Sequence, residues 1–176
     1  MKFAYWHHDM ILLYLMLELN EMIVRLLIAI ALGSLVGLER EMMGKEAGIR
    51  TAMLVSAGAA IFTMISIAIP SVVGITSENL VNVLPDRVVS NIVVGIGFLG
   101  AGIIIKTGEH VRGLTTAAVV WVTASIGALV GLGLIQFAMA SAAILTGMLI
   151  FLRKLDIYRL IRPKGAVESN GDQQLD

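Results

Sequence analysis

The sequence GIGFLGAGIIIK, residues 95–106, closes an uncharged stretch of the chain and decides between two very different folds. It contains the spacing G-x-G-x-x-G, which binds the pyrophosphate of a dinucleotide in a Rossmann fold. That motif needs a strand before it and an acidic residue about 20 residues later. Here valines and isoleucines flank the run, and position 120 is Val120. We therefore interpret the glycines as one face of a helix inside a lipid bilayer.

The composition around this run is that of a membrane protein. Of the 176 residues, 57% are hydrophobic and 15% are charged, whereas about 25% are charged in soluble domains. A spanning helix needs about 20 apolar residues, so the 40 uncharged residues 113–152 hold two spans with a break near Gly131-Leu132-Gly133. The prediction is an all-α polytopic membrane helical bundle with no sizeable soluble domain and about five transmembrane helices, at 22–38, 52–74, 88–105, 114–133 and 136–152.

Several function classes are disfavoured by the same composition. The net charge is zero, which implies no nucleic-acid partner. Cysteine is absent from the sequence, so disulfides and cysteine-ligated metals are excluded. The three histidines lie outside the predicted spans without the spacing of metal ligands. A nucleophile, base and orienting group do not occur together at plausible depth, so we expect no enzyme activity, no cofactor and no metal site.

The basic residues predict an orientation. Ten of the 13 lie in the 39–51 loop, the 106–113 loop and the C-terminal tail, and three lie on the other side of the five spans. Cytoplasmic segments carry an excess of Lys and Arg. We therefore predict a bacterial inner-membrane protein with its N-terminus outside and its C-terminus in the cytoplasm. Its predicted parts are an interfacial N-terminal segment 1–21, a transmembrane domain 22–152, and a basic, then disordered, tail 153–176 that contacts lipid.

Charged residues flank the short first span. Its uncharged core, residues 26–38, covers about 20 Å of a hydrocarbon layer roughly 30 Å thick. Either Arg25 or the Glu39-Arg40-Glu41 group must then lie near the hydrocarbon boundary. An ionisable group at that depth is a functional candidate, although simple anchoring of the helix ends is an alternative.

The third span opens with a second polar group. Asp86 follows Pro85, where a negative charge stabilises a helix start, and Asn91 lies one turn beyond Arg87. An Asn that faces lipid is costly, so Asn91 should bond another helix. We hypothesise two polar clusters, an outer one of Arg25, Asp86, Arg87 and Asn91 and an inner one of Glu39, Arg40, Arg50, Lys106 and Arg112. Thr51, Thr115 and its neighbour Thr116 are further candidates, and the first two are also plausible N-caps.

Glycines recur at helix-packing positions throughout the predicted spans. Small residues let helices approach closely in lipid. The spacing of four between members of a pair places them on one helix face. The predicted packing positions are Gly33, Gly37, Gly95, Gly97, Gly100, Gly102, Gly127 and Gly131.

Four segments resemble one known family, the MgtC/SapB family of bacterial inner-membrane proteins. They are GSLVGLERE (33–41), GKEAGIRTAMLVSAGAAIFT (44–63), VGIGFLGAG (94–102) and VRGLTTAAVVW (111–121). The resemblance covers about residues 22–150 and implies a small polytopic membrane protein with five spans. It also implies a role in adaptation to low magnesium and in survival of pathogens inside host cells, as a virulence-associated regulator of other membrane proteins.

Two departures from the family pattern affect these expectations. The acidic residue that often precedes the proline before the third span is Leu84 here, and Asp86 follows the proline instead. The sequence ends about two dozen residues after the fifth span, so regulation through a soluble C-terminal domain is not expected. The expected function is a non-enzymatic membrane regulator, with a second copy of the chain among its expected partners. The alternative is an oligomeric transporter or channel for Mg²⁺ or a small solute, with Glu39 or Asp86 repeated around its axis.

Overall fold

The computed structural model describes the backbone of residues 2–73, 85–108 and 110–154 and the side chains of residues 18–69, 87–108 and 110–154. Five helices and a two-stranded sheet make up this part of the chain. In chain order they are α1 (Lys2–Met42), α2 (Ile49–Val73), α3 (Pro85–Ile103), β1 (Ile105–Thr107), β2 (His110–Arg112), α4 (Leu114–Gly131) and α5 (Ile135–Lys154).

The all-α membrane bundle predicted from the uncharged stretches is confirmed. Four helical segments are long and apolar enough to cross a membrane, namely Glu18–Met42, Ile49–Ile69, Leu114–Gly131 and Ile135–Lys154. The third predicted span corresponds to a shorter apolar helix, Arg87–Ile103. Of the predicted tail 153–176, Arg153 and Lys154 belong to the last helix, and residues 155–176 lie outside the described residues.

Most helix boundaries differ from the prediction by a few residues, and two of the differences change the architecture. α1 has 41 residues and begins at Lys2, so the N-terminal segment predicted to be separate is helical and continuous with the first span. α3 ends at Ile103, two residues earlier than predicted, because the chain turns there into a hairpin. In that hairpin, Ile105 pairs with Arg112 and Thr107 with His110, and Gly108 takes a positive φ of 60° in the connection.

Two tight turns end helices in the same way. After α4, Gly133 has a φ of 83°, its N–H bonds the carbonyl of Val130, and the N–H of Leu134 bonds the carbonyl of Leu129. This is a Schellman motif, in which glycine supplies the left-handed residue after the helix. It confirms the predicted break between the fourth and fifth spans. Gly44 ends α1 by the same pattern, with a φ of 61°.

The order of contacts along the helices fixes how they pack. Gly33 and Gly37 of α1 meet Ser56 and Ala52 of α2, respectively, so these helices are antiparallel. Gly127 and Gly131 of α4 meet α2 near Ser56 and Ala60, so α2 and α4 are parallel. A buried apolar cluster joins these helices to α5 and consists of Ala29, Val36, Ala60, Met64, Ile126, Val130, Ala138 and Ala142.

The bundle therefore has two distinct ends. We call the end that holds the 43–48 loop, the hairpin and Lys154 the hairpin end. The end that holds Arg25 and the 132–134 turn is the Arg25 end. Contacts between Arg153 and Met43, and between Thr116 and Glu46, tie the elements of the hairpin end together.

Candidate functional site

The helix interface on both sides of α2 is built on glycines. A Cβ at Gly33 would lie 2.6 Å from the carbonyl oxygen of Ala52, and one at Gly127 would lie 2.0 Å from that of Ser56. Real Cβ atoms do not approach so closely, so glycine alone lets α1 and α4 contact the backbone of α2. Gly37 and Gly131 are similarly tight, with nearest distances of 2.7 Å.

The glycines of α3 have different surroundings. A Cβ at Gly95, Gly97 or Gly102 would have nothing within 4 Å, and one at Gly100 would make ordinary contact with Ala117, at 3.6 Å. Three of the four therefore do not pack closely against described residues of this chain. A packing role for Gly95, Gly97 and Gly102 stays a prediction that requires another molecule.

Gly95 lies instead on the wall of an open groove between α2 and α3. The groove has a volume of about 450 Å³. Apart from Asn91, apolar side chains and glycines line it: Leu54, Val55, Gly58, Ala59 and Phe62 from α2, and Val88, Ile92, Gly95, Ile96 and Leu99 from α3. The exposed amide of Asn91 is thus placed in an apolar surface.

Glu39 and Arg40 form a buried ion pair near the hairpin end of α1. They are 4% and 6% exposed, and both Nε and Nη2 of Arg40 lie 2.5 Å from Oε2 of Glu39. The other carboxylate oxygen, Oε1, is buried without a hydrogen bond to any described residue. The pair explains how the charges that flank the short first span are accommodated, because each neutralises the other inside the protein.

Arg25 joins α1 to the end of α4 and to the turn that follows it, at the opposite end of the bundle. Its Nη1 donates to the carbonyl oxygen of Gly131 at 2.9 Å, and Nη2 pairs with Glu21 one turn earlier in α1. The guanidinium also lies against Gly133 in the turn before α5. Arg25 therefore binds the carbonyl end of α4, where the helix dipole favours a positive charge.

A polar contact links the two loops of the hairpin end. The hydroxyl of Thr116, which is buried, donates to Oε2 of Glu46 at 3.3 Å. The pKa of the Glu46 carboxyl lies below its ordinary value of 4.5, chiefly because its own backbone N–H donates a hydrogen bond to it. The Thr116 hydroxyl and the charges of Lys45 and Arg112 lower this pKa further, while desolvation opposes them.

The two hypothesised polar clusters are only partly assembled. Of the inner cluster, Glu39 and Arg40 are paired, whereas Arg50, Lys106 and Arg112 are exposed. Among the described side chains, Arg25 contacts Glu21 and Gly131 and not the other outer-cluster members Arg87 and Asn91, the latter of which lines the α2–α3 groove.

The remaining predicted site residues are two members of the outer cluster and three threonines. Arg87 is exposed in the first turn of the described part of α3, and the side chain of Asp86 lies outside the described residues. Thr51 is half-buried and Thr115 is exposed, whereas Thr116 contacts Glu46.

The predicted N-caps are wrong. α4 begins one residue before Thr115, and its N-cap is Gly113, which makes no side-chain cap bond. α2 begins at Ile49, and its N–H is capped by Oε2 of Glu41 at 3.0 Å. The Glu41 carboxylate extends from α1 and occupies the space beside Gly48. Because α2 begins at Ile49, Thr51 lies inside the helix and not at its N-cap.

Sequence reasoning missed Glu21, Glu41 and Glu46 as members of polar contacts. Glu21 precedes Arg25 by four residues, a spacing that signals an ion pair on a helix. Glu46 and Glu41 carry no such signal, because their partners Thr116 and Ile49 are placed by the tertiary fold. Within the described part of the chain, three or more His, Asp or Glu residues do not gather into a group that could hold a metal ion.

The apolar helices, the glycine-mediated contacts and the buried ion pair define a polytopic helical membrane protein. Comparison with known families identifies which one: the profile of the MgtC family matches residues 26–158. The chain therefore belongs to the MgtC family, as the sequence motifs indicated.

Individual relatives agree with this assignment. The protein MgtC of Salmonella typhimurium is 44% identical over 132 residues, which are 75% of this chain and 52% of that protein. YhiD of Escherichia coli K12, named as a candidate magnesium transporter, is 40% identical over 116 residues, 66% of this chain and 53% of YhiD. The chain thus spans about half the length of these curated relatives. No solved structure matches the chain.

Proposed function

We propose that this protein is a non-enzymatic regulator of other membrane proteins in adaptation to low magnesium or survival within host cells. In this proposal it binds a transmembrane helix of its partner in the α2–α3 groove. The observation that carries the proposal is the contrast between α3 and the rest of the bundle. The space beside the packing glycines of α1 and α4 is occupied by α2. Gly95 and Asn91, in contrast, lie in an apolar groove with open space.

The chemistry of the groove fits a helix as its ligand. Close approach of a second helix needs a small residue, which Gly95 provides, and an amide inside hydrocarbon needs a hydrogen-bond partner, which another helix could offer Asn91. Phe98 and Val94, on the exposed side of α3, are 85% and 72% exposed. α3 thus presents a wide apolar surface next to the groove.

In this proposal the hairpin end faces the cytoplasm of a bacterial inner membrane. The support is the distribution of basic residues, ten of 13 on that side of the predicted spans, together with the preference of cytoplasmic segments for Lys and Arg. The family membership supports a membrane location without giving its direction. A cysteine placed at Lys45 and labelled with an impermeant reagent in intact cells tests the direction, because only an outward-facing residue reacts.

Site-specific crosslinking tests the groove. A photoreactive amino acid at Leu54, on the groove wall, is expected to capture one membrane protein in cells grown at low magnesium. Gly95→Leu fills the groove and should abolish that capture. Gly97→Leu is the matched control, since residues two apart on a helix point in nearly opposite directions and Gly97 has free space around it.

Each outcome of the crosslinking is decisive. Capture of a different membrane protein that is lost in Gly95→Leu and kept in Gly97→Leu supports the proposal. Capture of a second copy of this chain makes the groove a homo-oligomer interface and overturns docking of a different partner. Absence of any protein adduct, or equal capture by the two leucine variants, also overturns it.

A second candidate function is transport of Mg²⁺ or a small solute, which the name given to YhiD favours. Among the described acidic residues, Glu39 is the one buried within a span, and its free Oε1 is a possible cation ligand. The adjacent guanidinium of Arg40 opposes this role, because it neutralises the carboxylate that a dication would need. Flux of Mg²⁺ into liposomes that vanishes in Glu39→Gln would establish transport, and absence of flux from the folded protein would exclude it.

A further inference from the structure

The described acidic and basic side chains of the hairpin end differ in how many have a partner within the chain. Each described acidic residue there has an internal partner: Glu39 pairs with Arg40, Glu41 accepts from the N–H of Ile49, and Glu46 accepts from Thr116. The basic residues other than Arg40 are exposed, and none forms an ion pair with another described residue: Lys45, Arg50, Lys106, Arg112, Arg153 and Lys154. Among the described exposed side chains of this end, the six basic residues therefore outnumber the two acidic ones, Glu41 and Glu46, although the whole chain is neutral.

The hairpin holds basic and apolar side chains side by side. Ile105 and Val111 are 57% and 47% exposed, and they alternate with exposed Lys106 and Arg112. Cross-strand pairing places Ile105 opposite Arg112 and Lys106 opposite Val111. Each face of the hairpin thus carries one apolar and one basic residue, which is a pattern suited to the boundary between hydrocarbon and headgroups.

The hairpin is held close to the ends of α3 and α4. It follows Ile103 at the end of α3 and precedes Leu114 at the start of α4, and a Cβ at Gly113 would lie 2.2 Å from the carbonyl oxygen of Ile103. Strands of three residues reach about 10 Å from this closure. A headgroup layer is roughly 5–7 Å thick on each side of the hydrocarbon core. With the ends of α3 and α4 placed at the hydrocarbon boundary, Lys106 and Arg112 come within reach of lipid phosphates.

We propose that the hairpin strands β1 and β2 bind anionic phospholipid headgroups, with Lys106 and Arg112 as phosphate ligands and Ile105 and Val111 as the apolar anchor. This binding surface is separate from the α2–α3 groove and does not depend on a partner protein. Glu46 is the described acidic side chain that acts on Arg112, and it competes with the lipid as an internal counter-ion. Removal of its charge should therefore strengthen lipid binding.

Lipid selectivity in vesicles tests this assignment. The full chain is reconstituted in phosphatidylcholine, and electron paramagnetic resonance compares the association of spin-labelled phosphatidylglycerol and phosphatidylcholine. The wild type should prefer phosphatidylglycerol. Lys106→Gln and Arg112→Gln should each lower that preference by up to about fivefold, the effect of about 1 kcal/mol per basic residue. Glu46→Gln should raise it, a gain that a misfolded variant would not produce.

A matched control and a competing ligand complete the test. Arg87→Gln removes one exposed guanidinium at the opposite end of α3 and should lower the preference less than Arg112→Gln does. An equal loss in Arg87→Gln and Arg112→Gln, or no loss in the hairpin variants, overturns the proposal. Displacement of labelled lipid by inorganic phosphate, beyond that by chloride at equal ionic strength, would assign the surface to a soluble anion instead.

Discussion

The glycines of α4 and those of α3 are alike in sequence and differ in their surroundings. Gly127 and Gly131 press against the backbone of α2, at 2.0 Å and 2.7 Å from a hypothetical Cβ to the nearest carbonyl oxygen. Gly95 and Gly97 have open space at the same position. A small residue in a membrane helix therefore indicates a surface that another helix can approach closely, but it does not identify that helix.

The two regions also differ in the surroundings of their polar groups. In the packed region, formed by α1, α2 and α4, Arg40 and Glu39 are buried together, and Arg25 binds the end of α4. On α3, Asn91 is exposed in an apolar groove. A polar group in the first region stabilises the bundle, whereas the amide of Asn91 is available to a ligand. Substitutions should therefore reduce stability in one region and binding in the other.

The largest expected effect comes from adding a side chain at Gly127. Gly127→Leu places atoms inside the backbone of Ser56, which cannot move aside as a side chain could. Overpacking a core costs about 1–3 kcal/mol and here should cost more, so the folded bundle should be lost. Size-exclusion chromatography and thermal melting in detergent provide the measurement. Gly97→Leu, with free space, should melt at or above the wild-type temperature; equal melting of the two variants would contradict the comparison.

The buried ion pair gives the next largest effect. Arg40→Met leaves the Glu39 carboxylate buried without a counter-charge, and breaking such a pair costs about 3–5 kcal/mol. Thermal melting should show a large loss for this variant and a much smaller one for Arg50→Met, because Arg50 is exposed. Replacing both partners, with Glu39→Leu added to Arg40→Met, should restore most of the stability. A double variant as unstable as the single one would show that Glu39 serves another partner.

These two predictions rest on contacts that the sequence foretold to different extents. Uncharged stretches located the helices well because hydrocarbon excludes charge, and Gly131-Leu132-Gly133 marked a real break because glycine readily takes a positive φ. The spacing of the glycines identified helix faces made of small residues, but not the helices that pack against those faces. Gly127 and Gly95 look alike until the order of helices around α2 is known.

Local signals also failed where tertiary contacts replaced them. Thr51 was a reasonable N-cap by residue type, yet Glu41, eight residues before Ile49, reaches the start of α2 from another helix. The Glu46–Thr116 contact joins residues 70 apart. The hairpin has strands of three residues, too short for an alternating pattern to stand out. Each of these features depends on tertiary contacts between loops and helix ends. The hydrophobic periodicity of the sequence does not predict such contacts.

The cap at the start of α2 predicts a moderate effect within the packed region. Glu41→Ala removes the acceptor of the Ile49 N–H and a negative charge from a helix N-terminus. Loss of a capping side chain costs about 0.5–2 kcal/mol. Melting temperature should fall for Glu41→Ala and less for Glu41→Gln, which keeps an oxygen. Glu18→Ala removes an exposed carboxylate elsewhere on α1 and should have little effect; a loss equal to that of Glu41→Ala would refute the cap.

The smallest effect should come from Glu46, which links the 43–48 loop to α4 through the hydroxyl of Thr116. Its pKa is lowered in the folded protein, so the folded state favours the ionised carboxylate. The resulting stability is present above the ordinary pKa of 4.5 and is lost as the pH falls through the lower folded value. The melting temperature of the wild type should therefore decline more than that of Glu46→Gln as the pH falls below 4.5. Because Glu46 is exposed, salt should reduce this difference. Identical declines in the two proteins would mean that Glu46 contributes nothing to joining the loops, and that the helix contacts alone hold the hairpin end together.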